Sequence, residues 1–304
     1  MSVHPTALVE DGARIGDGAE VGPFCIVKSG AVLGDGARLL SHVVIGGSTK
    51  IGTRTIVHPH AVLGGDAQIR GADPAGTRLE IGADCVIREH VTMSAGSPKG
   101  GAVTTVGDRG YFMAYSHVAH DCHIGNDVTF ANGVQLGGHV EIGDGVIFGG
   151  LSAVQQFGRV GRYAFIGGVT GINEDVIPYG MAIGARAELT GLNLVGLKRR
   201  NVPRANIHAL RGAFRTIFQN DEGSIAERAR RAGEQWPEME QVQEVVAFVL
   251  ADAKRPVCTA RRRGARADED GWPPPWGSSR EAESCRWRWR KRRKPAGGRF
   301  FSWR

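Results

Sequence analysis

A histidine and an aspartate stand side by side at His120 and Asp121, within the segment SHVAHDCHIG that spans residues 116–125. A histidine with an adjacent carboxylate is the usual material of a general base, because imidazole titrates near neutral pH. We therefore expect His120 to remove a proton. Later in the chain, Arg199 and Arg200 are adjacent, and two guanidinium forks suit a diphosphate. The alternative for this pair is a solvated charge cluster at the start of a helix.

These residues belong to a chain that a six-residue repeat dominates. A period of six fits neither an α-helix nor a continuous strand, but it fits short strands joined by tight corners. The pattern resembles that of left-handed parallel β-helices, so we predict a mainly β protein with three units of six residues per coil. The repeated apolar positions are Val3, Val9, Ile15, Val21, Val27, Leu33, Leu39, Ile45, Ile51, Val57, Leu63, Ile81, Ile87, Met93, Val106, Phe112, Val118, Ile124, Phe130, Leu136, Ile142, Phe148, Val154, Val160, Ile166 and Ile172.

The repeat also positions the histidines. His120 occupies the third position of its unit, which predicts an outward corner, and His139 follows one coil and one residue later. His117 and His123 occupy the sixth positions of consecutive units and should lie on different faces. A three-histidine zinc site, with ligands from neighbouring subunits as in β-helical carbonic anhydrases, is the competing interpretation. The spacing His-x-x-His-x-x-His does not match that family, so we predict no metal.

The cysteines indicate a reducing compartment. The chain has five, an odd number, without CxxC pairs, which argues against disulfides and against a zinc site. Cys25, Cys85 and Cys122 occupy the small fifth position of their units, where we expect buried, unreactive thiols. No run approaches the roughly 18 apolar residues of a membrane span, and no basic-then-apolar leader opens the chain. We expect a cytoplasmic protein without membrane insertion.

The organisation that we predict has three parts. Residues 1–189 form the β-helix, and polar insertions at 64–80 and 94–105 are either binding loops or plain surface excursions. Helical patterns begin at Pro203 and Pro237 and predict a helical domain over 190–255, which would cover the open end of the coil.

We predict a disordered tail over residues 256–304, because they lack apolar periodicity. Residues 253–304 hold 16 Lys and Arg against 5 Asp and Glu, so the net charge of +7 belongs to the C-terminal end. The alternating Trp and Arg residues are compatible with a nucleic-acid or membrane patch, or with a non-native extension. The rest of the chain gives no sign of a nucleic-acid partner.

Several short motifs, taken together, resemble those of bacterial UDP-N-acetylglucosamine O-acyltransferases over residues 3–255. The resemblance implies transfer of a 3-hydroxyacyl chain from acyl carrier protein to the glucosamine 3-hydroxyl of UDP-N-acetylglucosamine (UDP-GlcNAc), the first step of lipid A synthesis. It further implies a homotrimer with active sites between subunits and without a bound cofactor. The motifs are HPTA at 4–7, GPFCIV at 22–27, SHVV at 41–44, HVAHDC at 117–122, GGH at 137–139, QF at 156–157 and GLKRR at 196–200.

The resemblance also implies roles for individual residues. His120 would be the general base, Asp121 would orient its ring, and the backbone N–H of Gly138 would stabilise the thioester oxyanion. Gly168 would leave room for the acyl chain; alternatively it is a corner glycine that needs a positive φ. The residues implied in substrate binding are His117 and His139 in the same cleft, Gln68 in the first loop, and Gln156, Asn193, Arg199 and Arg200 on the nucleotide side.

The sequence departs from the family pattern at three places. Gln155 replaces a common histidine, Val195 replaces a common glutamate, and residues 69–71 (IRG) replace an Asp-x-Lys that contacts the sugar. The choice between UDP-GlcNAc and an amino-substituted analogue therefore stays open. Alternative functions are the related UDP-sugar N-acyltransferase, a CoA-dependent acetyltransferase, and a non-catalytic β-helix scaffold.

Overall fold

The computed structural model describes residues 1–71 and 73–260. Short parallel strands wind into a coil with three flat faces, and four helices follow it. The prediction of a mainly β, left-handed parallel β-helix with C-terminal helices is confirmed. Each strand pairs with the strand of the same face one coil later, as His117 does with Gln135 and His123 with Glu141.

Strands β1 to β26 divide among the three faces in rotation, and β27 and β28 both join face 1. Face 1 contains β1 Ser2–Val3, β4 Glu20–Val21, β7 Arg38–Leu39, β10 Ile56–Val57, β13 Val86–Ile87, β16 Tyr111–Phe112, β19 Thr129–Phe130, β22 Ile147–Phe148, β25 Phe165–Ile166, β27 Gly180–Ile183 and β28 Glu188–Leu192. Face 2 contains β2 Leu8–Val9, β5 Ile26–Val27, β8 Val44–Ile45, β11 Val62–Gly65, β14 Thr92–Ser94, β17 His117–Val118, β20 Gln135–Leu136, β23 Ala153–Val154 and β26 Gly171–Ile172. Face 3 contains β3 Arg14–Ile15, β6 Val32–Leu33, β9 Thr49–Ile51, β12 Arg78–Ile81, β15 Val103–Val106, β18 His123–Ile124, β21 Glu141–Ile142 and β24 Arg159–Val160.

The corners between faces form three edges, which we call edge 1–2, edge 2–3 and edge 3–1. Corner residues that are eighteen positions apart lie one inter-strand spacing apart, about 4.8 Å. One residue of most corners has a positive φ, including the non-glycine residues Asp121 and His139. The left-handed conformation costs a non-glycine residue roughly 1–2 kcal/mol, so these corners are maintained by the coil around them.

The interior of the coil is filled mainly by apolar side chains. From Ala19 onward the repeated apolar residue and the small fifth residue of each unit are buried, and Phe112, Phe130 and Phe148 stack edge to face with centroids 4.9 Å apart. Cys85 and Cys122 are fully buried and free, and burial raises the pKa of Cys85 to about 11 and of Cys122 to about 12. Their predicted interior position is confirmed, and their low reactivity stays a prediction.

The helices are α1 Leu194–Arg199, α2 Arg204–Phe218, α3 Ile225–Gln235 and α4 Glu240–Leu250. Pro203 occupies the N-cap position of α2 without a capping side-chain hydrogen bond. Ser224 and Glu227 form a capping box at the start of α3, a helix that the sequence patterns did not predict. No helix within the described residues is long and apolar enough to cross a membrane.

Three predicted bounds need correction. The boundary at 189/190 falls inside β28, which forms an antiparallel hairpin with β27. Strands β11, β12, β14 and β15 extend into the predicted loops, so the irregular segments are 66–77 and 95–102. The predicted tail starts too early, because the Cys258 N–H donates to the Asp175 carbonyl and the Leu189 N–H to the Thr259 carbonyl. The rest of the predicted disordered tail, residues 261–304, lies outside the described residues.

The aromatic stack predicts a large cost for Phe130→Ala. Removing a fully buried ring that contacts two other rings should lower the free energy of unfolding by about 3–5 kcal/mol. Chemical denaturation followed by circular dichroism measures this loss, with Leu8→Ala on an exposed strand as the control. A loss below about 1 kcal/mol for Phe130→Ala would contradict the packing described here.

Candidate active site

His120 and Asp121 form a hydrogen-bonded pair at the edge 2–3 corner between β17 and β18. His120 Nδ1 lies 2.8 Å from Asp121 Oδ2, and the side chains are 14% and 0% exposed. The carboxylate accepts the Nδ1 proton, which leaves His120 Nε2 with a lone pair. Nε2 has no hydrogen-bond partner among the described residues. The pair therefore presents a base to the outside of the coil.

Asp121 is fixed by three hydrogen bonds besides the one from His120. Its Oδ1 accepts from the Ser97 N–H at 2.8 Å, its Oδ2 from Ser97 Oγ at 2.5 Å, and its own N–H donates to Thr104 Oγ1 at 2.8 Å. Burial by itself would raise the pKa of Asp121, but the Ser97 donors, His120 and the nearby His139 outweigh burial and lower it. The carboxylate is thus kept ionised and oriented.

The second insertion covers the Asp121 carboxylate, so this insertion is not a plain surface loop. Ser97 belongs to segment 95–102, and Gly100 of the same segment packs directly on the pair. A Cβ on Gly100 would lie 2.2 Å from Asp121 Oδ2 and 2.5 Å from His139 Cε1. Sequence analysis missed Ser97, Thr104 and Gly100. The available signal was that the insertion leaves the coil one turn before Asp121, on the same edge.

A stack of rings continues from His120 along edge 2–3. The His120 and His139 rings meet edge to face at 5.1 Å, and Phe157 lies parallel to His139 at 4.5 Å. Lys254 Nζ covers the outer side of Phe157 at 3.9 Å. The pKa of His139 is lowered mainly by burial, and the charges of His120 and Lys254 add to this effect against the opposing effect of Asp121. His139 therefore binds a proton less readily than an ordinary histidine.

Gly138 brings a free donor next to the base. Its N–H makes no hydrogen bond with the described residues, whereas its carbonyl accepts from the Phe157 N–H at 3.0 Å. A Cβ at Gly138 would lie 2.5 Å from His120 Cε1 and 2.6 Å from His120 Nε2. Only glycine permits this approach, so a backbone donor and a proton acceptor share one small space.

The same edge carries several residues that the sequence analysis assigned to substrate binding. His117 lies on face 2 with Nδ1 2.8 Å from Thr92 Oγ1, and burial lowers its pKa. Gln156 is exposed at the corner two coils after His120, and its carbonyl accepts from Arg255 Nε at 2.7 Å. Gln68 is exposed on the first loop, which also leaves the coil at this edge. These placements leave their predicted roles untested.

The pocket next to the pair has a volume of about 320 Å³ and opens toward face 3. It is lined on one side by corner residues of edge 2–3 and on the other by residues 252–254, which follow α4. A larger groove of about 680 Å³ lies between face 3 and α4, away from His120 Nε2 and Gly138. The smaller pocket is lined by Asp121, the carboxylate partner of His120, and by His139, whereas His120 itself lines neither pocket.

Asn193, Arg199 and Arg200 lie elsewhere in the chain. Arg200 stacks over the Tyr163 ring at 4.0 Å and donates to the Gly145 carbonyl at 3.4 Å, both of which belong to edge 3–1. Asn193 is buried as the N-cap of α1, where its Oδ1 accepts from the Gly196 N–H. Within the described residues, one copy of the chain therefore does not bring these residues to His120, and the predicted cleft between subunits stays a prediction.

Gly168 also lies on another edge. It is exposed at edge 1–2, and a Cβ there would meet only the Gly150 carbonyl at 3.4 Å. The alternative explanation, that Gly168 needs a positive φ, is wrong, because the positive φ of this corner belongs to Val169. The backbone therefore does not demand glycine at this position.

His120, Asp121 and His139 offer ligand atoms within 4.8 Å of one another, a geometry in which a metal ion has room. His117 and His123, the other members of the predicted alternative, lie on separate faces. Asp121 is a poor ligand here because both of its oxygens already accept hydrogen bonds. The donor set favours proton chemistry, and the absence of a metal requirement remains a prediction.

Comparisons with known proteins agree with this geometry. Residues 30–65 match the model of the bacterial transferase hexapeptide, and residues 175–258 match that of domain 2 of UDP-N-acetylglucosamine O-acyltransferase. Acyl-[acyl-carrier-protein]–UDP-N-acetylglucosamine O-acyltransferase of Bartonella henselae is 47% identical over 268 residues, which cover 88% of this chain and 97% of that protein. The chain belongs to the UDP-N-acetylglucosamine O-acyltransferase family.

Other members give the same result. The Rhizobium johnstonii enzyme of the same name is 48% identical over 267 residues, covering 86% of this chain and 95% of that protein. A crystal structure of a UDP-N-acetylglucosamine acyltransferase superposes with a TM-score of 0.82 at 35% identity, covering 86% of this chain and 99% of that one. The structure from Acinetobacter baumannii gives 0.81 at 34% identity over 84% of this chain and 99% of that one. The predicted family and enzyme class are confirmed, and the scaffold alternative is not supported.

The hydrogen bonds that Asp121 accepts predict that the stability of this family member depends on pH. Because its folded pKa lies below the unfolded value of about 3.9, Asp121 stabilises the fold above roughly pH 4 and loses that contribution as the pH falls through the folded pKa. Ser97→Ala removes one donor to the carboxylate, so the pKa of Asp121 should rise.

Carboxyl carbon NMR of labelled aspartate measures this change. Thr105→Val is the matched control, because Thr105 Oγ1 lies against His123 on face 3 and not against Asp121. An Asp121 pKa that is equal in Ser97→Ala and in the unsubstituted protein would show that Ser97 does not hold the charge.

Proposed function

We propose that this protein transfers a 3-hydroxyacyl chain from the thioester of acyl carrier protein to the glucosamine 3-hydroxyl of UDP-GlcNAc, the first step of lipid A biosynthesis. The observation that carries the proposal is the pairing of His120 Nε2, oriented by Asp121, with the free N–H of Gly138. Family membership supports the donor and the acceptor, since the names of the relatives specify both.

The chemistry needs one base and one oxyanion donor. His120 Nε2 takes the proton of the sugar hydroxyl, and the oxygen attacks the thioester carbonyl. The Gly138 N–H donates to the oxyanion that forms, and Asp121 stabilises the imidazolium. Collapse breaks the carbon–sulfur bond, and the imidazolium returns its proton to the leaving thiolate. Because a thioester already has a good leaving group, the reaction as proposed requires neither metal nor bound cofactor.

The nucleotide side of the site comes from a second copy in this proposal. Arg199 ends α1 as an exposed cation, and Arg200 follows it at edge 3–1. Their guanidinium groups suit the UDP diphosphate, but His120 lies on edge 2–3 of the same chain. A cyclic homotrimer, in which edge 3–1 of one copy approaches edge 2–3 of the next, joins the two halves at three equivalent sites.

The remaining assignments follow this arrangement. His117, His139, Gln156 and Gln68 contact the sugar and the thioester arm from edge 2–3, and Asn193 positions α1 through its N-cap bond. Gly168 receives the end of the acyl chain at edge 1–2. The free thiols of the described residues suit a cytoplasmic location, which we include in the proposal.

Replacing the base tests the mechanism. His120→Ala should lower kcat on the order of 10²- to 10⁴-fold, because a positioned general base typically contributes that much. Mass spectrometry of the product formed from UDP-GlcNAc with a panel of hydroxyacyl carrier proteins measures turnover and chain length together. His4→Ala at the exposed N-terminal end is the control. Turnover of His120→Ala within threefold of the unsubstituted enzyme would reject the proposed role.

The nucleotide contact has a different kinetic signature. Arg200→Ala should raise KM for UDP-GlcNAc on the order of 10- to 100-fold with a smaller effect on kcat, because charged hydrogen bonds to the diphosphate are lost. Arg215→Ala, an exposed arginine in the last turn of α2, is the matched control. Titration calorimetry with UDP checks the affinity directly. An unchanged KM and UDP affinity would remove Arg200 from the site.

A further inference from the structure

A ladder of backbone hydrogen bonds along edge 2–3 holds the peptide next to the oxyanion donor. The His139 N–H donates to the His120 carbonyl at 3.0 Å, and the Phe157 N–H donates to the Gly138 carbonyl at 3.0 Å. The peptide group between Gly138 and His139 is therefore bonded to the corner on either side of it. This double attachment fixes the backbone that carries the free Gly138 N–H.

The periodic ladder stops at the corner that contains Phe157. The spacing of the two earlier bonds would make the Asp175 N–H the donor to the Gln156 carbonyl. The regular coil ends here, and the Asp175 N–H donates instead to the Pro256 carbonyl at 2.8 Å. The last corner of the ladder therefore lacks the donor that a further coil would have supplied.

Arg255 supplies a donor in its place. Its Nε donates to the Gln156 carbonyl at 2.7 Å, and its Nη1 donates to the Asn173 carbonyl and to Gln155 Oε1, each at 3.0 Å. Gln155 and Gln156 belong to one coil and Asn173 to the next. A planar fork of donors can join acceptors from two coils at once, which the single ammonium of a lysine does less well.

The backbone around Arg255 is attached to the coil independently of its side chain. The Pro256 carbonyl accepts from the Asp175 N–H, and the Cys258 N–H donates to the Asp175 carbonyl at 2.8 Å. The Leu189 N–H further donates to the Thr259 carbonyl at 3.2 Å. Fastening residues 256–259 to the coil therefore does not require the guanidinium group. The three bonds of that group act on the corner of residues 155–158 instead.

This corner controls two contacts of the candidate site. The Phe157 N–H bonds the Gly138 carbonyl, and the Phe157 ring lies parallel to the His139 ring at 4.5 Å. An oxyanion donor acts only when it lies about 2.7–3.1 Å from the oxygen that becomes charged. A displacement of about 1 Å caused by a distant substitution can cost on the order of 100-fold in rate. Support of the corner is thus support of the donor.

We propose that Arg255 is a positioning residue for acyl transfer. It replaces the donor that the coil lacks beyond Phe157 and so holds the Gly138 N–H toward the oxyanion and the His139 ring beside His120. Arg255 acts through the backbone of residues 155–158 and contacts neither the sugar nor the thioester. The inference rests on the proposed function for the reaction, and on the three hydrogen bonds of Arg255 for the route.

Kinetics of Arg255 variants test the effect on the reaction. Arg255→Ala should lower kcat on the order of 10- to 100-fold, with a smaller change in KM for UDP-GlcNAc, because the oxyanion donor is misplaced in the transition state. Arg255→Lys keeps one donor and should lose less. Millimolar guanidinium, far below denaturing concentrations, should raise the kcat of Arg255→Ala and leave that of the unsubstituted enzyme unchanged.

Arg231→Ala is the matched control, because Arg231 also donates to a backbone carbonyl, that of Glu222, at a site away from edge 2–3. Its kcat should equal that of the unsubstituted enzyme. Circular dichroism checks the fold of each variant. A kcat of Arg255→Ala within about twofold of the unsubstituted enzyme would overturn the proposal. If the alanine variant does not fold, the same result for Arg255→Lys would overturn it.

Hydrogen exchange tests the route without any turnover. The Phe157 amide should exchange on the order of tenfold faster in Arg255→Ala, because the corner opens more easily without its three bonds, and at the unsubstituted rate in Arg231→Ala. A fall in kcat with unchanged Phe157 exchange would overturn the proposed route. Faster exchange with an unchanged kcat would overturn the catalytic part of the proposal.

Acyl transfer by the unsubstituted enzyme separates this proposal from the function on which it rests. Faster Phe157 exchange in Arg255→Ala, in a protein that does not turn over UDP-GlcNAc, would reject the function and keep the support of the Gly138 peptide by Arg255. Turnover by the unsubstituted enzyme with equal kcat and equal exchange in Arg255→Ala would reject the role of Arg255 and keep the function.

Discussion

The eighteen-residue register of the coil is the constraint on which the rest of the structure depends. It places residues of the same corner about one strand spacing apart, so each edge becomes a continuous column with its own chemistry. Edge 2–3 gathers Asp121, His139 and Phe157, edge 3–1 gathers ion pairs, and edge 1–2 gathers exposed rings. The interior, filled by one apolar and one small residue in most units, supports these columns.

Asp121 is the residue at which coil and insertion meet. The coil fixes its backbone in the left-handed conformation, and the insertion donates to its carboxylate through Ser97. This doubly held carboxylate in turn holds His120 at Nδ1 and frees Nε2 for the proton of an incoming hydroxyl. The base is thereby oriented through Nδ1 alone, since Nε2 makes no hydrogen bond with the described residues.

The six-residue periodicity predicted the features that the coil geometry fixes. These are the interior position of residues such as Cys122, the outward corner position of His120, and the closeness of His139 to His120. It did not predict contacts made by irregular segments, because the conformation of an insertion is not periodic; Ser97 was missed for that reason. The edge on which a residue lies cannot be read from the repeat once the chain passes through a hairpin or a helix. The separation of Arg200 from His120 within one chain was therefore evident only in the structure. The short return of residues 256–260 to the coil likewise has no sequence pattern.

The central claim is that one catalytic site needs His120 from one copy and Arg199 and Arg200 from another. The most direct measurement is acyl transfer by a co-expressed mixture of His120→Ala and the double variant Arg199→Ala/Arg200→Ala, at UDP-GlcNAc concentrations where neither is active alone. If the site is shared, random mixing restores about one quarter of the sites, and activity should return to roughly that level. A mixture as inactive as its separate components, with native masses that prove mixed assemblies, would contradict the account.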